Sequence, residues 1–331
     1  MVKKIKSLVQ YLLIIGLTGV LLYFSLGALD DGSDTGKFER LKLTWNASDK
    51  FFLITMVTVT MISHLIRALR WSMLLKTSGQ PVKLLHSFLS LMVGYLVNLV
   101  IPRGGEVSRS LNLYKLDAIP VEVSFGTVIV ERIIDIIFLG GLILLSFWIE
   151  WDKINVFLNT LNFPASSGGT RIPGSVYLIL SFIVAGIILL FLFRKNQKLK
   201  SFLSGFKKGV FSVFELQQKG LFLFYSALIW LLYFAASYLV MLAFEQTAVL
   251  GLGAVLTIFA ISAIAMALPL PGGTGSYHTL VPLGLVTLYH IGKSDAVALV
   301  FIFHALQTLT LIISGIISLL VTGWLVRKTH E

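Results

Sequence analysis

Cysteine is absent from this chain, which removes disulfides, thiolate metal sites and thiol nucleophiles at once while leaving the compartment open. Charge is sparse as well: Asp, Glu, Lys and Arg make up 13% of 331 residues, against 56% hydrophobic ones. That composition excludes an ordinary soluble domain. Acidic residues are scarcer than basic ones, 16 against 27, for a formal charge of +11. The basic residues lie between apolar runs, so anionic lipid headgroups are the expected partner and nucleic acid is not. No Walker loop, His-Glu-x-x-His or Gly-x-Ser-x-Gly is present. Accordingly no cofactor, no metal and no catalytic residue is expected; the oligomeric state is not legible.

What is abundant is apolar sequence in runs of membrane-crossing length, about 18 residues or more. Full-length runs fall at 5–29, 50–70, 121–149, 176–193, 221–244 and 295–325. The first exceeds the about 7–15 residues of a signal-peptide core and reads as an uncleaved helix. Shorter segments, 84–101 and 254–268, lead into two breaks; 107–119 (polar, interfacial) and 276–290 (mostly apolar) follow them. The expected fold is an all-α integral membrane protein forming a single membrane domain, 1–331. It comprises a first helix (5–29), a repeat (50–149), a connecting and an interfacial helix (176–220), and a second repeat (221–325).

Lysine and arginine placement sets the orientation, because cytoplasmic loops carry the excess. With the first run going outward, 19 basic residues fall inside, Arg67 and Arg70 among them, and seven outside. Both termini are then cytoplasmic, in a multi-pass protein of the cytoplasmic membrane. Segment 84–120 must begin and end inside, and 245–294 must begin and end outside. Each is therefore expected to be a re-entrant hairpin, the two entering from opposite faces as an inverted repeat, an arrangement that marks polar sites in transporters. The simpler alternative is a pair of ordinary helices kinked at proline.

The breaks are glycine-rich. The first supplies Arg103, Gly104, Gly105, Glu106 and Arg109; the second supplies Pro271, Gly272, Gly273 and Gly275, followed by His278. Glycines there can turn tightly and offer backbone N–H groups to an anion, and guanidiniums match phosphate oxygens in pairs. Charges inside a span are costly, about 2.5–3.5 kcal/mol each on the lenient scale, and the third run carries Glu131, Arg132 and Asp135. His304 lies in the last run. Glu106 to Arg132 and His278 to His304 are both separated by 26 residues, so an inverted repeat makes them equivalent pairs. His64 reads as a satisfied interfacial histidine. Trp71, Trp148, Trp151, Trp230 and Trp324 read as interface aromatics. Residues 198–218 carry one apolar stripe with lysines off it, the pattern of a helix lying on the inner leaflet or of a linker helix packed on the bundle.

Three ordered elements resemble the lysylphosphatidylglycerol synthase transmembrane-region, or flippase-like, family: Pro102…Gly105-Glu106-x-x-Arg109, Glu131-Arg132-x-x-Asp135 and Pro271-Gly272-Gly273-x-Gly275. The resemblance covers about 5–325. His278 and His304 stand where the family often has Glu and Arg. The resemblance implies lipid translocation; its best understood members fuse this region to an aminoacyl-lipid synthase domain, for which the present sequence has no counterpart. The leading expectation is a transporter of anionic or phosphate-bearing lipid. A lipid-modifying enzyme using His278 or His304, and a non-transporting scaffold, are the alternatives.

Overall fold

The computed structural model describes residues 36–153, 197–268 and 270–328, together with Gly16, Gly19, Val20, Leu22, Tyr23, Ser25, Leu26, Gly27 and Leu29. The expected span at 176–193, and most of that at 5–29, lie outside the described residues. Every regular element among the described residues is helical.

A short helix α1 (Lys37–Ala47) precedes α2 (Lys50–Thr77). The Asp49 side chain caps α2 by accepting the Phe51 N–H at 2.8 Å. Helix α2 runs seven residues past the sequence estimate and stops at Gly79, whose φ of +79° is open to glycine. Then come α3 (Leu84–Asn98), α4 (Gly105–Asp117) and α5 (Val121–Ile149). Beyond the undescribed stretch lie α6 (Gln197–Phe211), α7 (Lys219–Leu242) and a single turn α8 (Glu245–Ala248). Helices α9 (Leu252–Ala267), α10 (Ser276–Tyr289) and α11 (Lys293–Lys328) complete the chain. Three of these, α2, α7 and α11, are long and apolar enough to cross a membrane. Helix α5, with 29 residues, also has the length, at about 44 Å.

Helices α3 and α4 form an antiparallel hairpin. Asn98 meets Gly105, Gly94 meets Arg109, Ser90 meets Asn112, and His86 pairs with Asp117. In the second hairpin Ala265 meets Ser276, and Ile258 and Ile261 meet Gly284. The four arms have 13 to 16 residues, so each is only about 20–24 Å long. Helix α11 runs past both hairpins in turn. His304 touches Gly272 at the second tip, Gly315 lies against Met92 and Leu96, and Thr322 bonds Asn112 in the body of the first hairpin. The hairpins therefore stand tip to tip and point in opposite directions. Helix α5 does the same in reverse, from Arg109 near the first tip to Thr257 and Gly253 of the second hairpin.

The principal core joins α2, α7, α11 and the second hairpin through Leu53, Met56, Val240, Val255, Leu285 and Val300, each no more than 3% exposed. Helix α6 packs closely on α5: a Cβ on Gly209 would lie 2.9 Å from the Gly126 Cα. This contact favours the packed linker-helix reading of 198–218. Phe214, which the 198–218 pattern places on the apolar stripe with Phe206, Val210 and Val213, lies beyond the helix end and is exposed.

Candidate functional site: a buried arginine–carboxylate cluster at the first hairpin tip

Four guanidiniums and three carboxylates from α2, α4 and α5 meet beside the tip of the first hairpin. Glu131 accepts from Arg109 and from Arg70, the latter at 3.3 Å. Asp135 accepts from Arg67 and from Arg70, the latter at 2.9 Å. Arg132 pairs with Glu106 at 3.0 Å and stands 3.8 Å from Asp135. Arg67 also donates to the Tyr233 hydroxyl at 3.0 Å and Arg70 to the Ser226 hydroxyl at 3.1 Å, which ties α7 to the cluster. Arg109 lies over the Trp71 ring at 4.0 Å, and the Trp71 N–H donates to Thr127 at 2.9 Å. The formal sum is one positive charge in excess. Such a set survives burial only when charges pair and hydrogen-bond.

Burial within the cluster is uneven. The Arg70 and Glu131 side chains are wholly enclosed, while Arg132 keeps 33% of its side chain exposed. Glu106 Oε2 and the Nε atoms of Arg67, Arg70, Arg109 and Arg132 are buried without a hydrogen-bond partner among the described residues.

Glu106, Arg109, Glu131, Arg132 and Asp135, all expected from the sequence as site residues, belong to this cluster. Arg67 and Arg70 were not expected here, because at the inward end of the run 50–70 they read as cytoplasmic charges. Helix α2 continues to Thr77, so both arginines lie inside it and point at α5. Trp71 is likewise in the interior and not at an interface. His64 is buried rather than interfacial; it packs 4.6 Å from the Tyr95 ring, and its Nδ1 has no partner among the described residues. The recurrence of His64, Arg67 and Trp71 on one helical face was the available signal.

The glycines do different work from that expected. Gly104 has an ordinary helical φ of −72°; the left-handed residue is Arg103, at +62°. The Gly105 N–H is not offered to an anion, because Asn98 Oδ1 accepts it at 2.7 Å. A side chain at Gly105 would collide with the Gly94 carbonyl and Asn98, so glycine is required there for close packing. Arg103 is apart from the cluster. Its exposed guanidinium donates to the Ala267 carbonyl at 2.7 Å, across to the end of α9. Leu99 closes on Gly272 at the same junction, so the two tips are in contact.

In the second hairpin Gly272, Gly273 and Gly275 have φ of +57°, +70° and +97°, and Pro271 opens the turn. Two of their N–H groups also turn inward: Gly273 donates to the Leu270 carbonyl, and Gly275 to His278 Nδ1 at 3.4 Å. His304 Nε2 donates to the Gly272 carbonyl at 3.1 Å. The His278 and His304 rings stand 4.6 Å apart, edge to face. Both pairs spaced by 26 residues thus meet, one as an ion pair and one as two histidines bracing a turn. Among the described residues no group of three His, Asp or Glu is placed to hold a metal ion.

Residues 8–315 match the family described as the lysylphosphatidylglycerol synthase TM region. A UPF0104 membrane protein of Methanocaldococcus jannaschii is 30% identical over 98 residues, which is 29% of either chain. The alignment thus spans under a third of that relative's length. No solved structure matches.

Proposed function

This chain belongs to the lysylphosphatidylglycerol synthase TM-region family, and from that premise we propose that it carries anionic, phosphate-bearing lipid headgroups across the cytoplasmic membrane. The observation that carries the reading is the net positive cluster at the first hairpin tip, with Arg132 one-third exposed at its edge. Water-excluded guanidiniums in excess over carboxylates form a site for an anion, and paired N–H donors suit phosphate oxygens. The acyl tails remain in lipid while the head passes the junction of the two tips.

The transport path follows from the hairpins. Arms of about 20–24 Å fall short of a hydrocarbon layer about 30 Å thick, so each hairpin enters and returns on one side. Tip-to-tip contact then supports two re-entrant hairpins from opposite faces, related as an inverted repeat, with the cluster near the midplane. Helix starts at 105 and 121 recur at 276 and 293, a shift of 171 and 172 residues, which supports the same repeat. Discounting the buried Arg67, Arg70 and Arg109 still leaves 16 basic residues on one side and seven on the other. That bias supports cytoplasmic termini.

The test is scrambling in proteoliposomes. Fluorescent phosphatidylglycerol in the inner leaflet should become accessible to external dithionite with the wild-type protein, and at the protein-free rate with Arg132→Ala. A wild-type rate equal to that of empty vesicles would refute the function; equal rates for both proteins would refute the site.

A further inference from the structure

We propose that Glu106 is a built-in surrogate for the cargo's phosphate, holding Arg132 until a singly charged phosphodiester headgroup displaces it. This rests on the transport reading above and deepens it, because it assigns Glu106 the role of setting which headgroups are accepted.

Three of the four guanidiniums are committed. Arg67 is held by Asp135 and Tyr233, Arg70 by Glu131, Asp135 and Ser226, and Arg109 by Glu131 over Trp71. All three side chains are no more than 5% exposed. Arg132 alone reaches the edge, and its near partner is Glu106; Asp135 is 3.8 Å away and already engaged twice. Among the described residues Glu106 in turn has a single arginine partner, and its second oxygen is buried with none. A carboxylate so placed is half satisfied, and it comes from the first turn of α4, directly behind the hairpin tip.

Carboxylate and phosphodiester offer a guanidinium the same thing, two oxygens in one plane. Glu106 lowers the cost of an unoccupied Arg132 and, for the same reason, opposes an incoming anion. One bound monoanion brings four positive and three negative side-chain charges to neutrality. A zwitterionic head leaves the excess uncompensated, and a dianion overshoots it. The equivalent position in the second half offers no such swap, since His278 and His304 each commit a ring nitrogen to the backbone of the turn. The exchange is therefore confined to the first hairpin.

The experiment is calorimetric titration of the full chain in detergent with dihexanoyl phosphatidylglycerol, and with dihexanoyl phosphatidylcholine as the zwitterionic counterpart. Glu106→Gln should bind phosphatidylglycerol about tenfold more tightly than wild type, because a charged competitor has been removed. Arg132→Gln should lose binding, and Glu106→Gln should not restore it in the double variant, because Glu106 acts through Arg132. Phosphatidylcholine should bind the wild type far more weakly. Unchanged or weakened binding by a Glu106→Gln protein with a wild-type melting midpoint would overturn the proposal, as would equal affinity for the two lipids. Should Glu106→Gln not stay folded, Glu106→Asp decides: withdrawing the carboxylate by one methylene should still tighten binding, and unchanged affinity would overturn the idea. Tighter binding by Glu106→Gln with no scrambling by wild type would keep this exchange and remove the transport function. Wild-type scrambling with unaltered Glu106→Gln binding would do the reverse.

Discussion

Glu131→Gln should destabilise this protein more than Arg70→Met, although both side chains are fully buried and they contact each other. The difference comes from what each change leaves behind. Among the described residues Glu131 is the only carboxylate bonded to Arg109, and one of two bonded to Arg70. Neutralising it leaves four guanidiniums facing two carboxylates, and the new amide turns a donor toward one of them. Stripping a buried charge of its partner in this way costs about 3–5 kcal/mol. Arg70→Met leaves three guanidiniums and three carboxylates. Glu131 keeps Arg109, Asp135 keeps Arg67, and the loss is chiefly the Arg70 hydrogen bonds, including that to Ser226, at about 1–3 kcal/mol. Thermal unfolding of the purified protein in one detergent, followed by intrinsic fluorescence, should give a lower midpoint for Glu131→Gln. Equal midpoints, or a lower one for Arg70→Met, would refute the charge count on which the site rests.

The absence of cysteine makes the tip junction directly testable. A Cβ at Gly272 would lie 3.9 Å from the Leu99 Cα, so Leu99→Cys with Gly272→Cys should oxidise spontaneously to a disulfide and stop scrambling until reduced. A double-cysteine protein that remains free thiol under oxidant would show that the tips do not meet. At the α5–α6 crossing, a leucine at Gly209 would overlap the backbone of Val123 and Gly126. Gly209→Leu should lift α6 from the bundle and speed tryptic cleavage at Lys207 and Lys208, whereas an unchanged digestion rate would count against that packing.

The hairpins and the five-residue core of the site were legible because proline–glycine breaks and charges stand out against apolar sequence. Helix α5 was bounded correctly at both ends, since Pro120 marks its start and the apolar run marks its end. The arginines of α2 were lost through the same rule. The apolar run 50–70 ends on Arg70, and the excess of basic residues inside then reads Arg67 and Arg70 as cytoplasmic charges, whereas the helix continues to Thr77 and turns both toward α5. Partner counting would have helped: Glu131 and Asp135 inside a span require cations, and Arg132, one residue away, cannot serve both. Glycine roles were misread for a different reason. Composition says that a turn is permitted, but whether an N–H faces a ligand or a neighbouring Asn98 is decided by packing between helices.

The two hairpin tips carry unlike chemistry, and that contrast is itself open to test. If 106 and 132 correspond to 278 and 304, an ion pair introduced into the second half should form as it does in the first. His278→Glu alone places a carboxylate beside the Phe301, Tyr277 and His304 rings, with no lysine or arginine paired to that position among the described residues. His304→Arg alone keeps a donor for the Gly272 carbonyl but adds a charge without a counter-ion. Each single variant should therefore be destabilised, whereas the double variant should recover part of the combined loss. The coupling between neighbouring residues in such a cycle is about 0.5–3 kcal/mol, and here it should be favourable because the two rings are already in contact at 4.6 Å. Additive losses across the four proteins, measured as unfolding midpoints in the same detergent, would mean that the second pair is not the counterpart of the first. The equal spacing of 26 residues would then be a coincidence of sequence, not a consequence of a repeated fold.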